Sequence, residues 1–254
     1  MSLELTLLGT GDAAQVPVFG CDCLVCVRAR AIISYQRKPC SALLRYRGHT
    51  ILLDSGLADL AHRFKSGDIS HILQTHYHPD HVQGLLHLRW GMGPSIPVSG
   101  PVDEEGFADL YKHPGILSFQ PGLSHGDTLL FDDLRITALN LVHSKPTLGY
   151  LIQTPNSNVV YCTDTVGLPD DTLAQLQALA LDCLIIDCSH PPQAITPRNH
   201  NDVNLVLALA RQLNCEEVIL THLGHKMDLW LHHHPHALPI GISVGRDDMK
   251  ITFA

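Results

Sequence analysis

Six positions, 76 to 81, hold three histidines and an aspartate in the order H-x-H-x-D-H: His76, His78, Asp80 and His81. Ionisable groups packed this closely resist burial unless a cation satisfies them. In an extended loop, residues two apart point the same way, so His76 and His78 can serve one ion. Asp80 and His81 fall where the chain should turn into a helix, and they can face a second. His143, Asp164 and His222 are candidates to complete the two shells, and the two oxygens of Asp164 could bridge them. Two divalent ions about 3.5–4 Å apart lower the pKa of water and clamp the attacking and leaving oxygens of a displacement. The mixture of imidazoles and carboxylates suits Zn, Mn or Fe.

A second cluster lies near the start. "CDCLVC" supplies Cys21, Cys23 and Cys26, one ligand short of a tetrahedral zinc site. His225, three residues after His222, could be the fourth. A closed Cys3His site keeps no open position, so one structural zinc is expected there. Cys40, Cys162, Cys183, Cys188 and Cys215 sit mostly in apolar runs and read as core packing. "HHHPH" at 232–236 reads as an exposed loop in a Pro-rich tail. "LLGTGDA" lacks the G-K-[ST] ending of a phosphate loop and reads as a glycine turn after a strand.

These residues need elements to position them. "LELTLLG", "SALLRY", "TILLDSG", "HILQTH", "LRITALNLVH", "GYLIQT", "NVVYCTD", "CLIIDCSH" and "EVILTH" read as strands. "PDHVQGLLHLRWG", "DDTLAQLQALAL" and "NDVNLVLALARQLN" read as helices, the last capped by Asn201 or Asp202. Four strands run into a candidate ligand: His76, His143, Asp164 and His222. Ligands just past strand ends can meet at one edge of a sheet stack. The pattern points to two sheets covered by helices, in one domain over residues 1–254.

The 254-residue chain is 45% hydrophobic and 17% charged, with a formal charge of -8. That balance gives no electrostatic help toward nucleic acid or anionic membranes. No apolar run reaches the ~20 residues of a membrane helix, and no signal segment opens the chain. A cytoplasmic protein is expected, with thiols free or metal-bound.

"THYHPDH" resembles the signature of the metallo-β-lactamase superfamily. The resemblance covers nearly the whole chain, through "LLGTGDA", "LLDSG", His143, "CTDT" and "LTHLGH" in order. It implies a four-layered αββα sandwich of the α/β class with a dinuclear site at one edge. It also implies that His76, His78 and His143 hold one metal, and that Asp80, His81 and His222 hold the other, with Asp164 bridging. Asp187 at a strand end and His200 before a helix look like the acid pair of the phosphodiesterase branch. There the histidine protonates the leaving oxygen and the acid orients it; His190 is a weaker candidate for the same task. Asp80 would accept the nucleophile's proton. "CDCLVC" together with "HLGHKMD" is similar to the cyclic phosphodiesterases of bacterial phosphonate use. That similarity implies two Mn (or Zn) ions in a homodimer that hydrolyses 5-phosphoribosyl 1,2-cyclic phosphate, a small molecule, to ribose 1,5-bisphosphate. It implies 2′,3′-cyclic nucleotides as further substrates, and Arg198, Lys145 and Tyr77 lie near the motifs as candidates for substrate contact. A transfer-RNA 3′-processing endoribonuclease shares the metal set but needs a basic arm that this chain lacks. A thioester hydrolase has less use for a proton donor.

Overall fold

A computed structural model describes residues 2–253. Its strands follow the alternation of the sequence, because side chains along a strand point to opposite faces. Leu3, Leu5 and Leu7 enter one core while Leu8 enters another.

The first half of the chain supplies β1 (Leu3–Gly9), β2 (Ser41–Tyr46), β3 (His49–Leu53), β4 (His71–Leu73), β5 (Ile96–Ser99) and β6 (Leu117–Phe119). The second half supplies β7 (Thr128–Phe131), β8 (Leu134–Asn140), β9 (Leu148–Gln153), β10 (Asn158–Cys162), β11 (Leu181–Asp187), β12 (Cys215–Thr221) and β13 (Ile242–Val244). The last strand, β14 (Met249–Phe253), crosses back and pairs antiparallel with β1, Leu3 opposite Phe253. The two sheets run β14-β1-β2-β3-β4-β5-β6 and β13-β12-β11-β10-β9-β8-β7.

Three apolar layers separate the elements. Leu5, Leu44 and Ile51 from one sheet meet Ile136, Tyr150 and Ile185 from the other. The outer face of the first sheet is covered by α2 (Leu60–Arg63), α3 (Pro79–Val82), α4 (Leu85–Leu88) and α5 (Ala108–Lys112). The outer face of the second is covered by α6 (Asp170–Gln177), α7 (Val203–Gln212) and α8 (His225–His233). The remaining helix, α1 (Leu24–Ala31), packs on α8. This is the expected αββα sandwich. Among the described residues, no helix is long and apolar enough to cross a membrane.

The structure departs from the sequence reading in three places. "PDHVQGLLHLRWG" is two short helices rather than one. The break lets Gly84 donate its N–H to Ser55 O at 2.8 Å, and a Cβ at Gly84 would stand 2.3 Å from Leu57 O. Strands β5, β6, β7, β13 and β14 were not expected; most are short, and all but β7, which forms a hairpin with β8, pair with neighbours distant in sequence. His232 and His233 are not loop residues but the last turn of α8.

Gly56 sets how close the metal loop can lie. A Cβ there would stand 1.8 Å from Asp80 O, and backbone cannot yield at that distance. Gly56→Ala is therefore expected to cost ~2–4 kcal/mol and to displace Asp80. Thermal melting of the metal-free variant, with its divalent-ion content, checks this; an unchanged melt and full metal content would contradict it.

Candidate metal centre

Each sheet delivers part of the site through loops that follow strands. The loop after β4 carries His76, His78 and α3, with Pro79 at the first helical position, where its missing N–H costs nothing. The loops after β8, β10 and β12 carry His143, Asp164 and His222. Asp164 and His222 have positive φ, 59° and 56°. So does Asp54 at 58°. Three non-glycine residues in this costly region at one place mark a backbone held to serve its side chains.

The residues expected from sequence form two groups. His76, His78, His143 and Asp164 have ligand-capable atoms within 4.8 Å of one another, as do Asp80, His81, Asp164 and His222. Ring nitrogens of His76 and His143 approach His78 Nδ1 at 2.9 and 3.1 Å. Tetrahedral bonds of about 2.0–2.1 Å would set such nitrogens about 3.3 Å apart. Asp164 Oδ2 lies 3.4 Å from both His76 Nε2 and His81 Nε2, between the groups. Its Oδ1 lies 3.1 Å from His222 Nε2.

Hydrogen bonds aim the rings. His81 Nδ1 lies 2.8 Å from Asp54 Oδ2, and Thr75 N and Oγ1 donate to the same carboxylate. His222 Nδ1 lies 2.9 Å from Ser189 Oγ, and the Ser189 hydroxyl donates to Asp187 at 2.7 Å. With protons on Nδ1, both rings present Nε2 lone pairs to the centre. His81 Nε2 and His222 Nε2 are buried and make no hydrogen bond. Buried nitrogens without partners are costly, and a cation at this point would satisfy both.

The electrostatics agree. Burial, with neighbouring rings, holds His76 well below the ordinary imidazole pKa, and burial also lowers His78 and His143. These rings stay neutral, the form that ligates. Burial would lower His222 too, but Asp164 and Asp80 pull it up to about 10. His81 is drawn well above its usual value against burial by Asp164 and Asp54. This half of the centre demands positive charge, which a divalent ion supplies.

His200 and Asp187 meet as a pair. His200 Nδ1 lies 2.8 Å from Asp187 Oδ2. Asp187 is fully buried and also accepts from Thr165 N and Ser189 N. Burial opposes a charged His200, yet the Asp187 hydrogen bond and charge raise its pKa. Its ring stacks on His222 with centroids 4.9 Å apart. His190 stands farther off, 6.2 Å from the His200 ring.

The cysteine cluster also assembles. Cys21, Cys23 and Cys26 Sγ lie 3.4, 3.7 and 3.7 Å from His225 Nδ1. Zinc bonds of about 2.3 Å to sulfur and 2.0–2.1 Å to nitrogen imply about 3.6 Å between these atoms. Burial of Cys23 opposes ionisation, but hydrogen bonds from the Cys26 backbone and His225 draw it down to about 6. Burial pushes Cys26 up to about 12.

Of the candidates for substrate contact, Tyr77 is buried in the core of the first sheet and helices. Lys145 is held 3.2 Å from Asp103. Arg198 is exposed two residues before His200. Two residues of the site had not been singled out from sequence, Asp54 and Ser189. Asp54 in "LLDSG" carried the same signal as the others, an acid at a strand end. Ser189 carried none.

The chain is similar to several known proteins. Residues 49–223 match the family described as "Beta-lactamase superfamily domain". A ribonuclease Z of Methanopyrus kandleri is 29% identical over 133 residues, 49% of this chain and 47% of that protein. An octanoyltransferase of Porphyromonas gingivalis is 24% identical over 98% of this chain and 51% of its own length. The chain spans about half the length of the curated relatives it matches. A crystal structure described as a new diphosphatase from the PhnP family superposes with a TM-score of 0.83 at 24% identity, covering 100% of this chain and 98% of that one. Because the match to the superfamily domain spans residues 49–223, well more than half of its residues, the chain belongs to the beta-lactamase superfamily.

Proposed function

We propose that the chain is a dinuclear-metal hydrolase of phosphodiesters, with 5-phosphoribosyl 1,2-cyclic phosphate as substrate and ribose 1,5-bisphosphate as product. The observation that carries this reading is the His200–Asp187 pair beside the seven-residue cluster. A sugar alkoxide is a poor leaving group, and a positioned proton donor is worth ~10²–10⁴ in rate. The resemblance of "CDCLVC" with "HLGHKMD" to cyclic phosphodiesterases, and the likeness in fold to a PhnP-family diphosphatase, support the small-molecule substrate. Cleavage of 2′,3′-cyclic nucleotides, a homodimer and a cytoplasmic setting belong to the same proposal.

His76, His78 and His143 would hold one ion, and Asp80, His81 and His222 the other, with Asp164 facing both. Manganese or zinc fits these ligands, and zinc fits the thiol site. When bound, the ion pair lowers the pKa of a water and neutralises phosphoryl charge. Asp80 accepts the proton of the attacking water. His200, its Nδ1 committed to Asp187, keeps a proton on Nε2 for the departing sugar oxygen. Asp187 fixes the ring and stabilises its charge. Water adds to phosphorus, the phosphorus–oxygen bond to the sugar breaks, and the His200 proton completes the hydroxyl.

His200→Ala is expected to lower turnover of a cyclic phosphodiester by ~10²–10⁴ while both ions stay bound. Steady-state kinetics with elemental analysis checks this, and normal hydrolysis would remove His200 from the mechanism.

A second reading is transfer-RNA 3′-end cleavage, favoured by the matches to proteins named ribonuclease Z. The charge of -8 opposes it. Side-by-side assay of 5-phosphoribosyl 1,2-cyclic phosphate, a 2′,3′-cyclic nucleotide and a precursor transfer RNA separates the two. Preference for the RNA would overturn the proposal.

A further inference from the structure

A cavity of about 760 Å³ lies between α1, α8 and the turn before β14, and none of the metal-centre residues lines it. Its volume is within the about 300–1,000 Å³ of small-molecule sites. The three carboxylates on its wall are already engaged. Asp228 accepts two hydrogen bonds of 2.8 Å from Arg37. Asp247 accepts from Thr10 N, Thr10 Oγ1 and Lys38 N. Asp248 pairs with Arg63 at 3.2 Å.

Two guanidinium groups on the same wall make no ion pair or hydrogen bond among the described residues. Arg28 stacks on Tyr35, 3.9 Å from the ring centroid, and its Nε is buried with no hydrogen-bond partner. Arg246 reaches the cavity from an exposed turn, and its side chain makes no ion pair or hydrogen bond among the described residues. In a chain of net charge -8, this is a local surplus of positive charge with forked donors. Such donors match the paired oxygens of phosphate. Val25, Leu231 and Leu238 give the cavity an apolar side, which a free phosphate would leave unfilled.

We propose that this cavity binds a small organic phosphate, its oxyanion between Arg28 and Arg246 and its apolar body against α1 and α8. The site is separate from the metal centre and does not depend on the reading of it.

Titrating 1-naphthyl phosphate into metal-loaded protein, read by its fluorescence, tests the assignment. The expected result is saturable binding with Kd below about 1 mM. Arg28→Gln and Arg246→Glu should each weaken it roughly tenfold or more, and His78→Ala, which disables the metal centre, should leave it in place. Arg246 is exposed, so its variant tests the proposal even if Arg28→Gln fails to fold. Binding that is lost in His78→Ala and kept in Arg246→Glu would assign the ligand to the metal centre and overturn the proposal. Absence of saturable binding, or competition by inorganic phosphate at equal affinity, would also overturn it.

Discussion

Asp164→Asn is expected to abolish most phosphodiester turnover, a loss of at least ~10²–10³, and to reduce the divalent ions held at the centre. The substitution keeps the shape of the side chain and tolerates the backbone. Asp164 has φ of 59°, a conformation that Asn adopts more readily than most residues. What changes is charge. Asp164 is the carboxylate that approaches His76, His81, His143 and His222 together, with contacts of 3.1 to 3.6 Å. An amide in its place keeps one weak oxygen ligand and turns an N–H₂ donor toward groups that need to offer lone pairs. Elemental analysis, activity and circular dichroism together check the outcome. A folded variant with full metal content and ordinary turnover would show that Asp164 is not a ligand the reaction needs.

The second large effect is expected at the other cluster. Cys26→Ser should eliminate one tightly held zinc and lower Tm by on the order of 10 °C. Cys26 is fully buried, and its link through the ion to His225 closes a loop between positions 199 apart in sequence. Cross-linking a loop of that size is worth about 5 kcal/mol in the chain-entropy account. For a chain of this size each kcal/mol is about 2–4 °C. Loss of the cross-link also frees the start of α8, three residues after His222, so the metal centre should load less completely. Differential scanning calorimetry with zinc analysis is the check. An unchanged Tm, or a zinc that stays bound, would show that the cluster does not act as a cross-link.

The dense stretch at 76–81 and the histidines and aspartates at strand ends were legible because they obey local rules. Polar groups crowd where burial would be costly, and strands alternate until they stop. The layered fold followed from the same alternation. Asp54 and Ser189 were not legible as parts of the site. Asp54 meets His81 only because β3 and β4 lie side by side, and Ser189 meets His222 only because β11 and β12 do. Tyr77, between two histidines of the motif, was a candidate only for its place in the sequence, and it is buried because the pleat of an extended loop turns alternate residues inward. The split of α3 from α4 rests on a backbone contact between Gly84 and the turn after Asp54, a partner no periodicity reveals.

The pairing of β1 with β14 has a consequence for biosynthesis. Among the described strands β1 is made first, yet one of its two neighbours is made from residues 249–253. Until they emerge, an apolar strand has an open edge, the kind that captures other nascent chains. One edge of β1 should therefore pair early, with β2, while the other stays open until β14 is made.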